Sequence, residues 1–174
     1  MLAARGFAVT FLLAFLLALA PAGPTVAASP MQISIPSIGV DARVIWLGLD
    51  PDGSMPAPNN PYDVGWYTFS VEPGALGNAV MAGHKDWRTG ETGVFFRLPE
   101  LGQGNEIIVT DMHGAKFRYV VVWSQTFADE SAPIESIVGP TGDSSLTLIT
   151  CEGNFDAASR NYDQRRIVRA VYAP

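Results

Sequence analysis

Residues 6–20 are apolar almost without a break, from Gly6 to Ala20, with Phe11-Leu12-Leu13-Ala14-Phe15-Leu16-Leu17 at the centre. Arg5 precedes the run, and Pro21, Gly23 and Pro24 break it before the small residues Val26-Ala27-Ala28-Ser29. A positive start, about 15 apolar residues and a small-residue end have the form of a secretory signal peptide. A spanning helix usually needs about 20 apolar residues. The run is therefore expected to be either a cleaved signal or a short N-terminal membrane anchor with Arg5 on the cytoplasmic side. Residues 1–30 are set apart as that targeting segment, and residues 31–174 as a single exported domain.

After Pro30 the pattern changes to short stretches rich in Val, Ile, Tyr and Trp, punctuated by Gly, Pro, Asn and Asp. Strands are expected at Met31–Pro36, Ala42–Leu47, Val64–Phe69 and Ala79–Ala82. Asp50-Pro51-Asp52-Gly53 and Pro73-Gly74 are turn signals. Met55–Tyr62, with Pro56, Pro58 and Pro61, is expected to be surface loop, as is Trp87–Gly93. Val94–Leu101 has room for one helical turn. Glu106–Asp111 and Lys116–Trp123, joined by Met112-His113-Gly114-Ala115, form a hairpin pattern. Ser145–Thr150 and Arg165–Tyr172 complete the strands. Residues 124–144 are expected to be a long connection with a short helix near Pro133–Ile137, and Glu152–Gln164 a second, polar one. Many short strands with few helices predict an all-β fold, a closed or nearly closed barrel. Long ordered loops in a compact domain tend to be functional, and the second begins at the only cysteine.

Composition narrows the function. Hydrophobic residues make up 48% and charged residues 16%, which excludes a disordered chain. The formal net charge is −6, with only 11 Lys and Arg, so no basic face for nucleic acid is expected. Nor is there a polybasic anchor for anionic lipids. One cysteine forbids an internal disulfide, and one Cys with two His is a poor basis for structural zinc. No tight carboxylate cluster suggests calcium. No metal or cofactor is expected.

Cys151 ends the β-rich run Thr147-Leu148-Ile149-Thr150 and is followed by Glu152-Gly153-Asn154. A thiol there is held by a sheet while facing a loop region, an arrangement suited to a nucleophile, although a lone strand cysteine also serves as a packing residue. His84 follows Val80-Met81-Ala82-Gly83 in the same way and could be an acid/base group, since its side chain titrates near neutrality. Gly83 before it permits an unusual turn or a close approach. His113 reads as a turn residue. Arg165 and Arg166 open the last strand; neighbours on a strand face opposite sides, so only one can share a face with Cys151. A guanidinium there favours the thiolate and can stabilise an oxyanion.

Thr147-Leu148-Ile149-Thr150-Cys151 resembles the TLxTC signature of sortases, Ala82-Gly83-His84 their histidine motif, and Arg165–Ala170 the strand carrying their arginine. Pro36–Val40, Val64–Tyr67 and Pro73–Val80 are similar to segments of class E and F sortases. The resemblance implies an eight-stranded β-barrel and a two-step transpeptidation. Cys151 would attack the carbonyl before the last glycine of an LPxTG-like sorting signal. His84 would protonate the leaving amine and later deprotonate the incoming one. Arg165 would bond the substrate backbone or the oxyanion, with Arg166 as the alternative. Thr150 could lend a hydroxyl to the substrate. The implied partners are the sorting-signal peptide of exported proteins and an amine acceptor on the cell wall or another surface protein, with general attachment favoured over pilus building. The implied location is the outer face of the membrane, the cell wall or the medium. Residues 124–144 are expected to wall the substrate site.

Three other readings compete with this one, the first of them using the same residues. A secreted cysteine hydrolase would pass the acyl group to water. An L,D-transpeptidase is disfavoured because Leu148-Ile149-Thr150 stands where that family has Ser-x-Gly before the cysteine. A degenerate, non-catalytic barrel would lose nothing on Cys151→Ala.

Overall fold

The computed structural model describes residues 29–174 of the 174-residue chain. The expected targeting segment, residues 1–30, lies outside the described residues except for Ser29 and Pro30. Among the described residues, no helix is long and apolar enough to cross a membrane.

Alternating apolar residues form the strands β1 (Pro30–Ile35), β2 (Val40–Leu47), β3 (Val64–Tyr67) and β4 (Gly77–Gly83). They continue as β5 (Glu106–Asp111), β6 (Lys116–Ala128), β7 (Ser144–Asp156) and β8 (Asn161–Tyr172). The only α-helix among the described residues is α1 (Ile134–Val138), and single 3₁₀ turns cover Pro36–Ile38, Leu98–Glu100 and Asp129–Ser131. The strands close into one barrel in the order β1-β2-β3-β4-β7-β8-β6-β5. Pairing is antiparallel except at β2–β3 and β4–β7, which are parallel. The all-β barrel expected from the sequence is the observed fold.

The interior is filled by one face of each strand. Ile33, Ile35, Val44, Trp66, Met81 and Val109 belong to it, and Phe95 and Leu98 from the β4–β5 connection join the same buried cluster. On β7 the inward residues are Leu146 and Leu148, and on β8 Val168 and Ala170. Alternation then turns Thr147, Ile149 and Cys151 outward on β7, and Arg165, Ile167 and Arg169 outward on β8.

The outer face of β4, β7 and β8 carries α1, which is too short to hold itself. Buried polar groups fasten it. Asn78 Nδ2 donates to the carbonyls of Ile137 and Gly139 at 3.0 and 3.1 Å, and Arg169 Nη2 to those of Ser136 and Ile137 at 3.0 and 2.8 Å. Thr147 Oγ1 donates to Asn78 Oδ1 at 2.7 Å, completing the amide's bonding.

Two expectations need correcting. The polar connection 152–164 is not a long loop: β7 and β8 stay paired through it, and only residues 157–160 form the turn. Glu152-Gly153-Asn154 has turn composition, but it makes a β-bulge. The register shifts between Glu152 and Phe155, and Gly153 sits at φ +82°, where a Cβ would lie 2.0 Å from Asp163 Oδ1. Likewise β6 passes an irregularity between Val121 and Trp123 and runs on to Ala128, so residues 124–128 of the expected connection are strand.

Thr147→Val removes the donor to Asn78 Oδ1, in a residue only 2% exposed. Leaving a buried acceptor unpartnered costs about 1–3 kcal/mol. Thermal unfolding should show a matching fall in Tm; an unchanged Tm would mean that the Thr147–Asn78 bond carries no weight.

Candidate active site

β4 and β7 are aligned in parallel with Ala82 beside Ile149, so two residues further on the same register brings His84 level with Cys151. Across the next seam, Cys151 is the direct antiparallel partner of Arg165. Adjacent strands lie about 4.8 Å apart; Cys151 and Arg165 fall on the outward phase of their strands, and His84 follows directly on the end of β4. Arg166 pairs with Thr150 on the opposite phase, and its Nε donates to Glu152 Oε2 at 3.4 Å. The outward phase thus brings Arg165, not Arg166, beside the thiol. His113 lies in the β5–β6 turn, where its backbone N–H donates to Asp111 Oδ1 at 2.8 Å, and it joins none of these residues.

His84 is held on several sides. Its carbonyl accepts the N–H of the fully buried Phe95 at 2.9 Å. Gly83 before it lies so close to that segment that a Cβ would meet Val94 Cγ1 at 2.6 Å and Phe95 Cδ2 at 2.8 Å. Thr150, expected to lend a hydroxyl to the substrate, donates its Oγ1 to Gly83 O at 2.8 Å, buried between β7 and β4. The imidazole meets Trp87 edge to face at 4.8 Å, and its Nε2 is 2.8 Å from Pro58 O. A carbonyl can only accept, so Nε2 carries the hydrogen, and in the neutral ring Nδ1 keeps the lone pair.

Arg165 is fastened at both terminal nitrogens. Nη1 donates to the carbonyls of Tyr162 and Gln164 at 2.8 and 2.9 Å. Nη2 donates to Asn161 Oδ1 at 2.9 Å and lies 3.1 Å from Asp129 Oδ1. A second polar group joins the end of β4 to the β7–β8 hairpin. Glu152 lies between Lys85, at 3.5 Å, and Arg166, at 3.4 Å. The Lys85 ammonium sits 4.8 Å over the Tyr162 ring, and the Tyr162 hydroxyl donates to Asp86. Loss of water around the phenol, reinforced by the Asp86 carboxylate, pushes Tyr162 up to about 12.

Cys151 is half-buried and free. Burial pushes its thiol above the ordinary value; the Arg165 cation works against that, while the Asp86 and Asp129 carboxylates reinforce it and Lys85 opposes them. The balance at Cys151 therefore favours the thiol over the thiolate relative to a free cysteine.

Two clefts meet at Cys151 and His84. One, of about 340 Å³, has apolar walls of Ile134, Ile137 and Val138 from the α1 segment and Ile149 and Ile167 from the barrel, with Arg165 and Thr150 at its edge. Part of the 124–144 segment thus stands beside the thiol. The other, of about 670 Å³, carries the charged side chains Lys85, Asp86, Arg88 and Arg160 on walls that also include Trp87, Phe155 and Tyr162. Pro58, Asp129 and the Lys85–Glu152–Tyr162–Asp86 group were not identifiable as site residues from sequence. Only the polarity of Lys85-Asp86 after His84 hinted at them; Asp129 and Glu152 have no local signature.

A family model described as "Sortase domain" matches residues 33–173. No curated protein matches the sequence. Among solved structures, a lid mutant of sortase A from Corynebacterium diphtheriae superposes with a TM-score of 0.63 at 23% identity, covering 83% of this chain and 70% of that one. A sortase D5 transpeptidase from Clostridium perfringens gives 0.62 at 22%, covering 84% and 79%. Sortase A of Listeria monocytogenes gives 0.59 at 20%, covering 85% and 88%. At these identities the superpositions speak for the fold.

The electrostatics of Cys151 predict its alkylation profile. Iodoacetamide reacts with the thiolate, so the rate falls as pH falls through the thiol's pKa. The midpoint should lie above that of free cysteine measured alongside. Arg165→Ala should move it further up and Asp129→Asn down, because the first removes a cation and the second an anion. A midpoint below free cysteine, or shifts of the opposite sign, would contradict the stated causes.

Proposed function

The chain belongs to the sortase family, and we propose on that premise that it cleaves an LPxTG-like sorting signal between Thr and Gly and joins the acyl part to a cell-surface amine. Sortases are cysteine transpeptidases that act on sorting-signal proteins and amine acceptors at the cell surface. The observation that carries the finer reading is the meeting of His84, Cys151 and Arg165 at one cleft, the last two as direct strand partners.

In this reading the Cys151 thiolate attacks the carbonyl of the Thr–Gly bond. An amide nitrogen leaves poorly unless protonated, and protonated His84 supplies that proton. The thioacyl-enzyme then meets the second amine, whose proton passes to His84 as the C–N bond forms. Because burial disfavours the thiolate, a nearby cation matters to the first step. Arg165 provides it and, by exchanging its contact with Asp129, can bond the oxyanion or the substrate backbone. Thr150 acts through Gly83 to hold His84 in place. The apolar cleft beside α1 takes the aliphatic part of the signal, which makes the 124–144 segment a specificity wall. Residues 1–30 export the domain 31–174 to the outer face of the membrane or beyond, as a cleaved signal peptide or as an anchor. Class E or F is the assignment that the sequence segments favour.

The test is product analysis by mass spectrometry of residues 30–174 with an LPxTG-type peptide and excess triglycine. The expected result is a ligated product from wild type and none from Cys151→Ala or His84→Ala, each losing at least about 10³-fold. Cleavage without ligation, whatever amine is offered, would make the protein a hydrolase. Ligation surviving in Cys151→Ala would overturn the mechanism.

A further inference from the structure

Transpeptidation brings two substrates to one thioacyl carbon, and two clefts open on Cys151 and His84, one lined by Ile134, Ile137, Ile149 and Ile167 and the other by Lys85, Asp86, Arg88 and Arg160. Resting on the transpeptidase reading above, we propose that the cleft lined by Lys85, Arg88 and Arg160 receives the acceptor and selects an amine carrying a carboxylate close to the nitrogen. The cleft is out of balance with the rest of the chain. The formal net charge is −6, yet Lys85, Arg88 and Arg160 line this cleft against Asp86 alone of the acidic residues.

The charges there are unequally committed. Asp86 accepts from Tyr162, and Lys85 is shared between Glu152 and the Tyr162 ring. Arg88 stacks on Trp87 at 4.8 Å, which holds the guanidinium without neutralising it. Arg160 closes the β7–β8 turn at φ 56°. Among the described residues neither Arg88 nor Arg160 has an acidic partner within ion-pair distance. Two guanidiniums without an acidic partner line one cleft, Arg88 on the segment after His84 and Arg160 on the β7–β8 turn, and a carboxylate is the group they suit.

The same charge bears on the chemistry. A simple alkylamine is almost wholly ammonium at neutral pH, with a pKa of about 10.4 for a lysine side chain. Such a cation is repelled here. A carboxylate beside the amine removes the net charge and gives the arginines something to bind. The surrounding cations also favour the neutral form of the nitrogen, as like charges do. That neutral nitrogen adds to the thioacyl carbon. The C–N bond forms, the C–S bond breaks, the surplus amine proton goes to His84, and Cys151 leaves as thiolate.

Glycylglycine and glycylglycinamide differ only in whether a carboxylate is present, and they serve as the paired acceptors. With the acyl-enzyme formed first from an LPxTG-type peptide and measured by intact mass, the aminolysis rate is followed for each, corrected to equal neutral amine. Wild type should favour glycylglycine by about 5–10-fold at low salt, the scale of a pair of exposed charge contacts, and the preference should shrink in 0.5 M salt, where screening shortens to a few ångströms (~4 Å). The double variant Arg88→Gln, Arg160→Gln should lose the preference, and Arg88→Lys, Arg160→Lys should restore most of it. Equal rates in wild type, or a preference that survives the double Gln variant, overturns the proposal. If acyl-enzyme forms but neither acceptor ligates, the cleft is not an acceptor site, and peptide cleavage stands alone. If no sorting peptide acylates Cys151, the transpeptidase reading fails and this proposal falls with it.

Discussion

Strand alternation and inter-strand register together decide which side chains can meet, and here they meet across two seams of different kinds. The parallel β4–β7 seam carries the histidine level with the cysteine, and the antiparallel β7–β8 seam carries the arginine opposite it. A slip of one residue at either seam would turn a member of the trio to the other face of the sheet. The register is protected by burial, because Met81, Leu148 and Val168 occupy the inward phase of the same three strands. The hydrophobic core therefore fixes the chemistry on the outside of the barrel.

The outer face is finished by polar contacts. Asn78, Thr147 and Arg169 bind carbonyls and one another to seat α1, whose Ile134, Ile137 and Val138 then wall the apolar cleft. On the other side, the Lys85–Glu152–Arg166 pairs and the Tyr162–Asp86 bond draw the β7–β8 hairpin against the residues that follow His84. Between these two structures the thiol is partly withdrawn from water. Its burial and the nearby carboxylates oppose ionisation, while Arg165 promotes it. Arg165, itself anchored by Tyr162, Gln164, Asn161 and Asp129, is thus the main charge that favours the Cys151 thiolate.

Much of this was legible in the sequence. Short β-rich stretches between Gly, Pro and Asp turns announced an all-β barrel, and three motifs in order located Cys151, His84 and Arg165. Strand alternation already implied that only one of Arg165 and Arg166 could face the thiol; choosing between them needed the pairing register. The hairpin extension was hidden because Glu152-Gly153-Asn154 has the composition of a turn, and a bulge differs from a turn only in whether pairing resumes after it. Asp129, Pro58 and Glu152 were invisible for a related reason. Each acts through a contact with a residue far off in sequence, and no local pattern encodes such a contact. Thr150 was expected to lend a hydroxyl to the substrate; its Oγ1 donates to Gly83 O, a contact with no local signature.

The central claim is that register alone distinguishes Arg165 from its neighbour Arg166. The most direct measurement is the single-turnover rate of thioacyl-enzyme formation in Arg165→Gln and Arg166→Gln, with folding checked by circular dichroism. Losing a preorganised donor at an oxyanion costs about 10²–10³ in rate. Arg165→Gln should show that loss, and Arg166→Gln should stay within several-fold of wild type. Equal effects, or a larger loss at Arg166, would contradict the account.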